Sequence, residues 1–307
     1  MILNTGNRTD IPAFFSRWFL NRIREGYVYT RSPYDPGHLT EYILDPELVD
    51  VICFCSKNPA PLLPHLSDLA SFHQYWQMTI TPYGKDIEPY VPPKKQVMET
   101  FRSLSKVTGP HSLAWRYDPI FLTAEYDLEF HLSAFKEMAR TLRGATDTVI
   151  ISFIDLYEKT RRNFPGVHAV SEDNRLIIGE QFSDIARKNG MTLKTCLEGD
   201  DLAQFGVDTS GCMTREVLER SLGEALQVPA SQPRKGCRCL LGNDIGMYNT
   251  CGHGCLYCYA NYDQKSVAHN MRHHDPDSPL LIGHPQPTDK IIPASQVSFR
   301  TGQITLF

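Results

Sequence analysis

Short runs rich in β-branched and aromatic residues alternate along this chain with longer stretches in which apolar side chains recur three and four positions apart. A period of two suits a strand and a period near 3.6 suits one face of a helix, so the alternation predicts βα units around a parallel sheet. The strand candidates are Met1 to Leu3, Val49 to Cys55, Tyr75 to Thr81, Leu113 to Tyr117, Thr148 to Ile154 and Thr192 to Leu197. Sheet-covering helices are predicted near Gln96 to Val107, Leu128 to Arg143 and Asp173 to Lys188. Another follows the first strand, with Asp10 as its cap, Pro12 in its first turn and Gly26 just past its end. Its buried stripe is Phe14, Phe15, Trp18, Phe19 and Ile23.

Six such units predict an α/β fold, a partial TIM-like (βα)6 barrel, over residues 1–226. From 227 to 307 the composition turns to Pro, Gly, Cys and His. Pro229, Pro233, Gly236, Gly242, Gly246, Gly252 and Gly254 interrupt any long helix or strand there. This Cys-rich segment is expected to pack on the barrel and to take its order from ligated metal.

A formal charge of -4 on 307 residues leaves no polycationic face, so a nucleic-acid partner is not supported, and 10% aromatic content does not suggest base stacking. No apolar run reaches the roughly 18 residues of a membrane span, and the N-terminus lacks a signal-peptide pattern. Both features predict a cytoplasmic protein. Nine cysteines, odd in number and unevenly spaced, match thiolate ligation in a reducing compartment better than a disulfide framework.

The strongest local signal is Cys251-Gly-His-Gly-Cys255-Leu-Tyr-Cys258, a C-x3-C-x2-C spacing whose glycines allow a tight loop. An iron–sulfur cube usually takes four cysteines, so three leave one iron open to a substrate or cofactor. Upstream, Cys196, Cys212 and the pair Cys237 and Cys239 make a possible second site, for an auxiliary iron–sulfur cluster or a structural zinc. The C-x-C spacing is short for a zinc knuckle and favours iron–sulfur. Two alternatives stand beside these readings. The upstream four can be free buried thiols. The triad, with His253 or Cys239, can hold a structural zinc in a non-catalytic metal-binding or interaction protein.

The triad's spacing resembles that of the radical S-adenosylmethionine (SAM) superfamily. The run Tyr248-Asn-Thr-Cys-Gly-His-Gly-Cys-Leu-Tyr-Cys-Tyr-Ala260 is similar to the cluster loop of spore photoproduct lyase. Over its length the chain resembles an uncharacterised bacterial family, domain of unknown function 1848. The matching motifs are Arg8-Thr-Asp-Ile-Pro-Ala13, Ser56-Lys-Asn-Pro59 and Arg116-Tyr-Asp-Pro119. The superfamily resemblance implies a [4Fe-4S] cluster on Cys251, Cys255 and Cys258 whose open iron chelates SAM, with Tyr257 beside the adenine. It also implies an electron donor such as a flavodoxin or ferredoxin, and a 5'-deoxyadenosyl radical that takes a hydrogen from a small or macromolecular substrate. Superfamily members normally carry the triad after the first barrel strand. Here it lies near the C-terminus, so only the three cysteines and Tyr257 carry over.

Rim residues complete the candidate site, because loops after parallel strands gather at one end of such a fold. Arg8, Asp10, Lys57, Asn58, Arg116 and Asp118 are candidates for catalysis, and Asp155 and Glu198 for cofactor binding. Each also has a structural reading. Asp10 can cap a helix, Arg116 with Asp118 can be a rim ion pair, Lys57 and Asn58 before Pro59 resemble turn chemistry, and loop carboxylates are commonplace. Cys53 and Cys55 share a strand face with Val51 and read as packing residues, while His273, His274 and His284 read as a solvated loop.

Overall fold

The computed structural model describes residues 1–229, 237, 239–240 and 242–305. The chain begins with β1 (Ile2–Asn4), α1 (Ile11–Phe14), α2 (Ser16–Glu25), β2 (Tyr27–Arg31), β3 (His38–Ile43), β4 (Val51–Ser56) and β5 (Gln74–Thr79). It continues with α3 (Lys94–Thr108), β6 (Leu113–Ile120), α4 (Leu128–Leu142), β7 (Thr148–Phe153), α5 (Glu158–Asn163), α6 (Glu172–Lys188) and β8 (Thr192–Thr195). The last elements are α7 (Arg215–Leu222), β9 (Glu224–Leu226), β10 (Asn243–Asp244), α8 (Gln264–Arg272), β11 (Lys290–Pro293) and β12 (Arg300–Ile304). All six strand candidates and the four helical ones are present, shifted at their ends by a few residues. Pro233 and Gly236, two of the breakers named above, lie outside the described residues.

Seven parallel strands form one sheet in the order β10-β1-β4-β5-β6-β7-β8. After β10 the order follows the chain, as it would around a barrel, yet no pairing joins β8 to β10 among the described residues. The expected six-stranded barrel is therefore corrected to an open seven-stranded sheet. Its extra strand, β10, comes from the Cys-rich segment and pairs with β1 through Leu3 with Asn243 and Asn4 with Asp244.

Alternation along each strand sorts two cores. On one face Ile52, Phe54, Trp76, Trp115 and Ile151 meet the helices through Trp18, Phe19, Phe101, Phe135 and Phe182. Aromatic rings carry much of this contact: Phe54 stacks on Trp76 with centroids 4.0 Å apart, and Phe135 on Phe182 at 3.7 Å. Each such side chain contributes roughly 1.5–3 kcal/mol by leaving water. On the opposite face Ile2, Val51, Cys53, Tyr75, Ala114 and Ile150 pack against Met213, Val217, Leu218, Leu226 and the cysteines 212, 237 and 239.

Helix α7 closes the lower end of that inner face. Ser221 Oγ lies 3.4 Å from the carbonyl oxygen of Gln74 and 2.8 Å from Ser112 Oγ, and Arg220 reaches Thr148 Oγ1 at 3.2 Å, all at strand beginnings. The cavity on this face lies at the opposite, C-terminal ends of the strands.

The first helix splits in two at Phe15, whose φ of -132° leaves the helical region. Asp10 caps it, accepting from the Ala13 amide at 3.1 Å, and Gly26 ends it at φ 78°. Nothing lies within 4 Å of a Cβ built on Gly26, so Gly26→Ala meets only the backbone cost of a left-handed residue. A loss of about 1 kcal/mol in denaturant unfolding is expected. A smaller sheet, β11-β3-β2, and the pair β12 and β9 had no sequence forecast. No helix among the described residues is long and apolar enough to cross a membrane.

Candidate functional site

A cavity of about 280 Å³ sits at the C-terminal ends of the parallel strands. Its walls come from the turn after β1 (Gly6 to Asp10), the ends of β4 through β8, and the loops carrying Cys212, Cys237, Cys239, Cys251, Cys255 and Cys258. Loops after parallel strands converge because every strand ends on the same side, which is why sites gather there. Gly6 is required where the turn crosses β4: a Cβ there would stand 2.4 Å from the Cys55 carbonyl oxygen.

Asp10 ties three elements together. Oδ1 accepts from the Ala13 amide and from Ser56 Oγ at 2.7 Å, while Oδ2 accepts from the Lys57 amide and from His253 Nε2, both at 2.8 Å. Four donors fill the acceptor sites of one carboxylate, so Asp10 acts as a structural hub rather than a free ligand. The other ring nitrogen, His253 Nδ1, is buried and without a hydrogen-bond partner among the described residues.

The C-x3-C-x2-C loop hangs from this hub and from a second set of bonds. His253 packs edge-on to Phe14 at 4.7 Å, the Tyr90 amide donates to the His253 carbonyl at 3.2 Å, and the Leu256 amide to the Ile87 carbonyl at 3.1 Å. Asn261 Nδ2 closes the loop on the Cys251 carbonyl at 2.7 Å. Gly254, at φ 71°, lies under the Tyr90 ring. Burial pushes all three thiols up, Cys255 to about 12, and Lys57 partly offsets this at Cys255 and Cys258.

Beside the loop is a buried charge network that the sequence reading missed. Glu88 Oε1 accepts from Lys57 Nζ at 2.8 Å, from Thr81 Oγ1 at 2.7 Å and from the Tyr257 hydroxyl; Oε2 takes Lys94 Nζ. Burial opposes the charge on Glu88, but the two lysines outweigh it and hold its carboxyl at about 2. Lys57 also lies over the Tyr257 ring, 5.5 Å from its centroid. Nothing in Lys85-Asp-Ile-Glu88 signals this role, because the partners are far apart in sequence.

Cys196, Cys212 and Cys239 form a second group. Cys212 Sγ is 3.4 Å from Cys196 Sγ and 3.2 Å from Cys239 Sγ, and all three ligand atoms lie within 4.8 Å of one another. This group could hold a metal ion. Cys239 thus joins the upstream set and not the triad. Hydrogen bonds from Cys196 and Cys239, with Arg116 adding to them, draw the Cys212 thiol well below its ordinary range. Arg116 is fixed by Asp118, by Nε at 3.1 Å among other contacts, and by Gln77 Oε1 at 2.9 Å. Gln77 in turn meets Cys55 Sγ and donates to the Cys212 carbonyl. Cys53 packs in the core as expected, but Cys55, also read as packing, lines the cavity.

The remaining candidates divide. Arg8, Lys57, Arg116, Asp118, Asp155 and Tyr257 line the cavity. Asn58 and Glu198 do not line it: the Asn58 amide bonds Ser56 Oγ at 3.0 Å in a turn, and Glu198 pairs with Arg175 at 2.9 Å and accepts from the Phe153 amide at 2.8 Å. Burial lifts the Glu198 carboxyl to about 7 despite Arg175. His274 is anchored, its Nδ1 2.7 Å from the Leu281 carbonyl and its ring on Phe15, whereas His273 and His284 lie at the surface.

No curated protein matches this chain at a significant level. The family model described as domain of unknown function 1848 matches residues 2–260, a span that begins in β1 and ends just past the cysteine triad, and so contains both cysteine groups and every strand of the large sheet. By this match over most of its length, the chain belongs to the domain of unknown function 1848 family.

Proposed function

We propose that this protein is an iron–sulfur enzyme of the radical SAM type, with a [4Fe-4S] cluster on Cys251, Cys255 and Cys258. The observation that carries the reading is that these three thiols line one cavity with Arg8, Lys57, Arg116, Asp118, Asp155 and Tyr257 at the ends of the parallel strands. The donor set suits the group: thiolates are soft ligands for iron, and three of them leave one iron of a cube open. When bound, and supplied with an electron by a donor such as a flavodoxin or ferredoxin, the cluster provides reductive cleavage of SAM to a 5'-deoxyadenosyl radical.

The chain's own residues do the rest in this reading. Asp10 and the carbonyls of Ile87 and Cys251 hold the loop in place, so ligands need not be ordered at the moment of binding. Glu88 pins the Tyr257 hydroxyl, fixing the ring at the cavity wall where an adenine would stack. Lys57 keeps a positive charge beside the thiolates; burial disfavours it, but Glu88 lifts it above its ordinary value. Arg8, Arg116 and Asp155 offer polar contacts to a carboxylate, an amine or a ribose.

Anaerobic reconstitution with iron and sulfide, followed by low-temperature EPR of the reduced protein with and without SAM, tests this. A reduced-cluster signal that SAM perturbs is expected, and it should vanish in the Cys251→Ala, Cys255→Ala, Cys258→Ala variant. A colourless, EPR-silent protein after reconstitution overturns the reading.

A further inference from the structure

The cysteines upstream of the triad differ from it in one geometric respect: their sulfurs nearly touch. Cys196 at the end of β8, Cys212 before α7 and Cys239 before β10 come from three separate parts of the chain, yet Cys212 Sγ stands 3.4 Å and 3.2 Å from the other two. The Cys212 amide also donates to Cys239 Sγ at 3.2 Å, which fixes the orientation of that sulfur.

This spacing decides how many metal ions fit. Thiolates around one tetrahedral ion, each about 2.3 Å from it, stand about 3.8 Å apart, so an opening of roughly half an ångström at the two pairs through Cys212 admits a single ion. On an iron–sulfur cube each thiolate binds a different iron, with inorganic sulfide between the irons, and the sulfurs stand much farther apart. Three ligand atoms within 4.8 Å of one another suit one ion and not a cube. The short C-x-C spacing carries no preference here, because Cys237 and Cys239 do not both enter the compact group.

We propose that Cys196, Cys212 and Cys239 bind one zinc ion whose fourth coordination position faces the cavity and holds exchangeable water. Soft thiolates select zinc among the common divalent ions, and zinc binds such sites more tightly than iron(II). All three ligands line the cavity. Cys237 lines it as well and is buried, but it is not among the sulfurs within 4.8 Å, which leaves the fourth place to solvent or to a donor atom of a substrate. Three thiolates and one zinc carry a net charge of -1. Arg116, whose guanidinium lies beside Cys212, supplies a compensating positive charge, and Gln77 holds both Arg116 and the Cys212 carbonyl. A zinc with an open position is the arrangement of catalytic rather than structural sites.

This site is independent of the cluster reading, and its test keeps the two apart. The Cys251→Ala, Cys255→Ala, Cys258→Ala variant is purified without added iron or sulfide, its metal content measured, and its zinc environment determined by X-ray absorption at the zinc edge. About one zinc per chain with three sulfur neighbours and one lighter donor is expected. Adding Cys212→Ser should lower the zinc content at least tenfold, while adding Cys237→Ser should leave it unchanged, and circular dichroism reports whether each variant folds. Zinc-free protein, a Cys212–Cys239 disulfide in place of metal, a red mononuclear iron, or four sulfur neighbours would each overturn the proposal. Loss of zinc in folded Cys237→Ser would do so too, even if Cys212→Ser fails to fold.

Discussion

Replacing Glu88 with Gln is expected to lower the unfolding free energy by about 3–5 kcal/mol at pH 7, the range for removing one partner of a buried ion pair. Glu88 is only 1% exposed and serves two lysines, a threonine and a tyrosine at once. Without its charge, Lys57 and Lys94 are left as half-hidden cations facing one another, and burial already lowers Lys94 from its ordinary value. The same residue sets an acid response. Its folded-state value of about 2 lies below the ordinary 4.5, so the folded protein binds fewer protons there than the unfolded chain. The stabilisation is therefore complete above about pH 4.5 and disappears as pH falls toward 2. Denaturant titrations at pH 7 and pH 3 check both parts: the native chain should lose stability between them through this group, and Glu88→Gln should lose less. A change below about 1 kcal/mol at pH 7 would mean that water solvates both lysines and that the network is not structural.

Asp10→Ala should cost about 4 kcal/mol and should also impair the cysteine loop. The cap itself contributes about 1 kcal/mol. The larger part comes from Ser56 Oγ, the Lys57 amide and His253 Nε2, which lose their acceptor, at roughly 1–3 kcal/mol for each buried donor left unpaired. Water entering the cavity offsets some of this, so the sum is less than the parts. Asp10→Asn keeps one oxygen for the cap but turns an amide N–H₂ toward donors, and should fall between the two. Chemical denaturation reads the stability, and iron retained after anaerobic reconstitution reads the loop. If Asp10→Ala unfolds like the native chain yet fails to load iron, Asp10 contacts the bound group directly and is not a structural hub.

Asp10 and Cys55 mark where sequence reading succeeded and where it stopped. Asp10 is legible as a cap because a cap is local: the residue, the proline two positions on and the amide it accepts from all lie within four positions. Its bond to His253, 243 positions away, is not. Cys55 was correctly placed on the same strand face as Cys53, since alternation fixes the face. Whether that face meets apolar side chains or a cavity depends on what the rest of the chain lays over each strand end. The same limit explains Glu88, an ordinary loop carboxylate until Lys57, Lys94 and Tyr257 converge on it.

Six strands of the large sheet, the helices that cover it and the cysteine spacing could be read from the residues alone, because strand and helix periods and loop motifs are set by neighbours a few positions apart. The six consecutive strands, the four covering helices and the gathering of loops at the strand ends all follow from that local code. The open edge between β8 and β10, the seventh strand drawn from the Cys-rich segment, and the sorting of the cysteines into a spread triad and a compact trio do not. They depend on which distant segments pack against one sheet face. Local periodicity carries no record of that choice, since it is made by the burial and charge pairing of residues that meet only when the chain has folded.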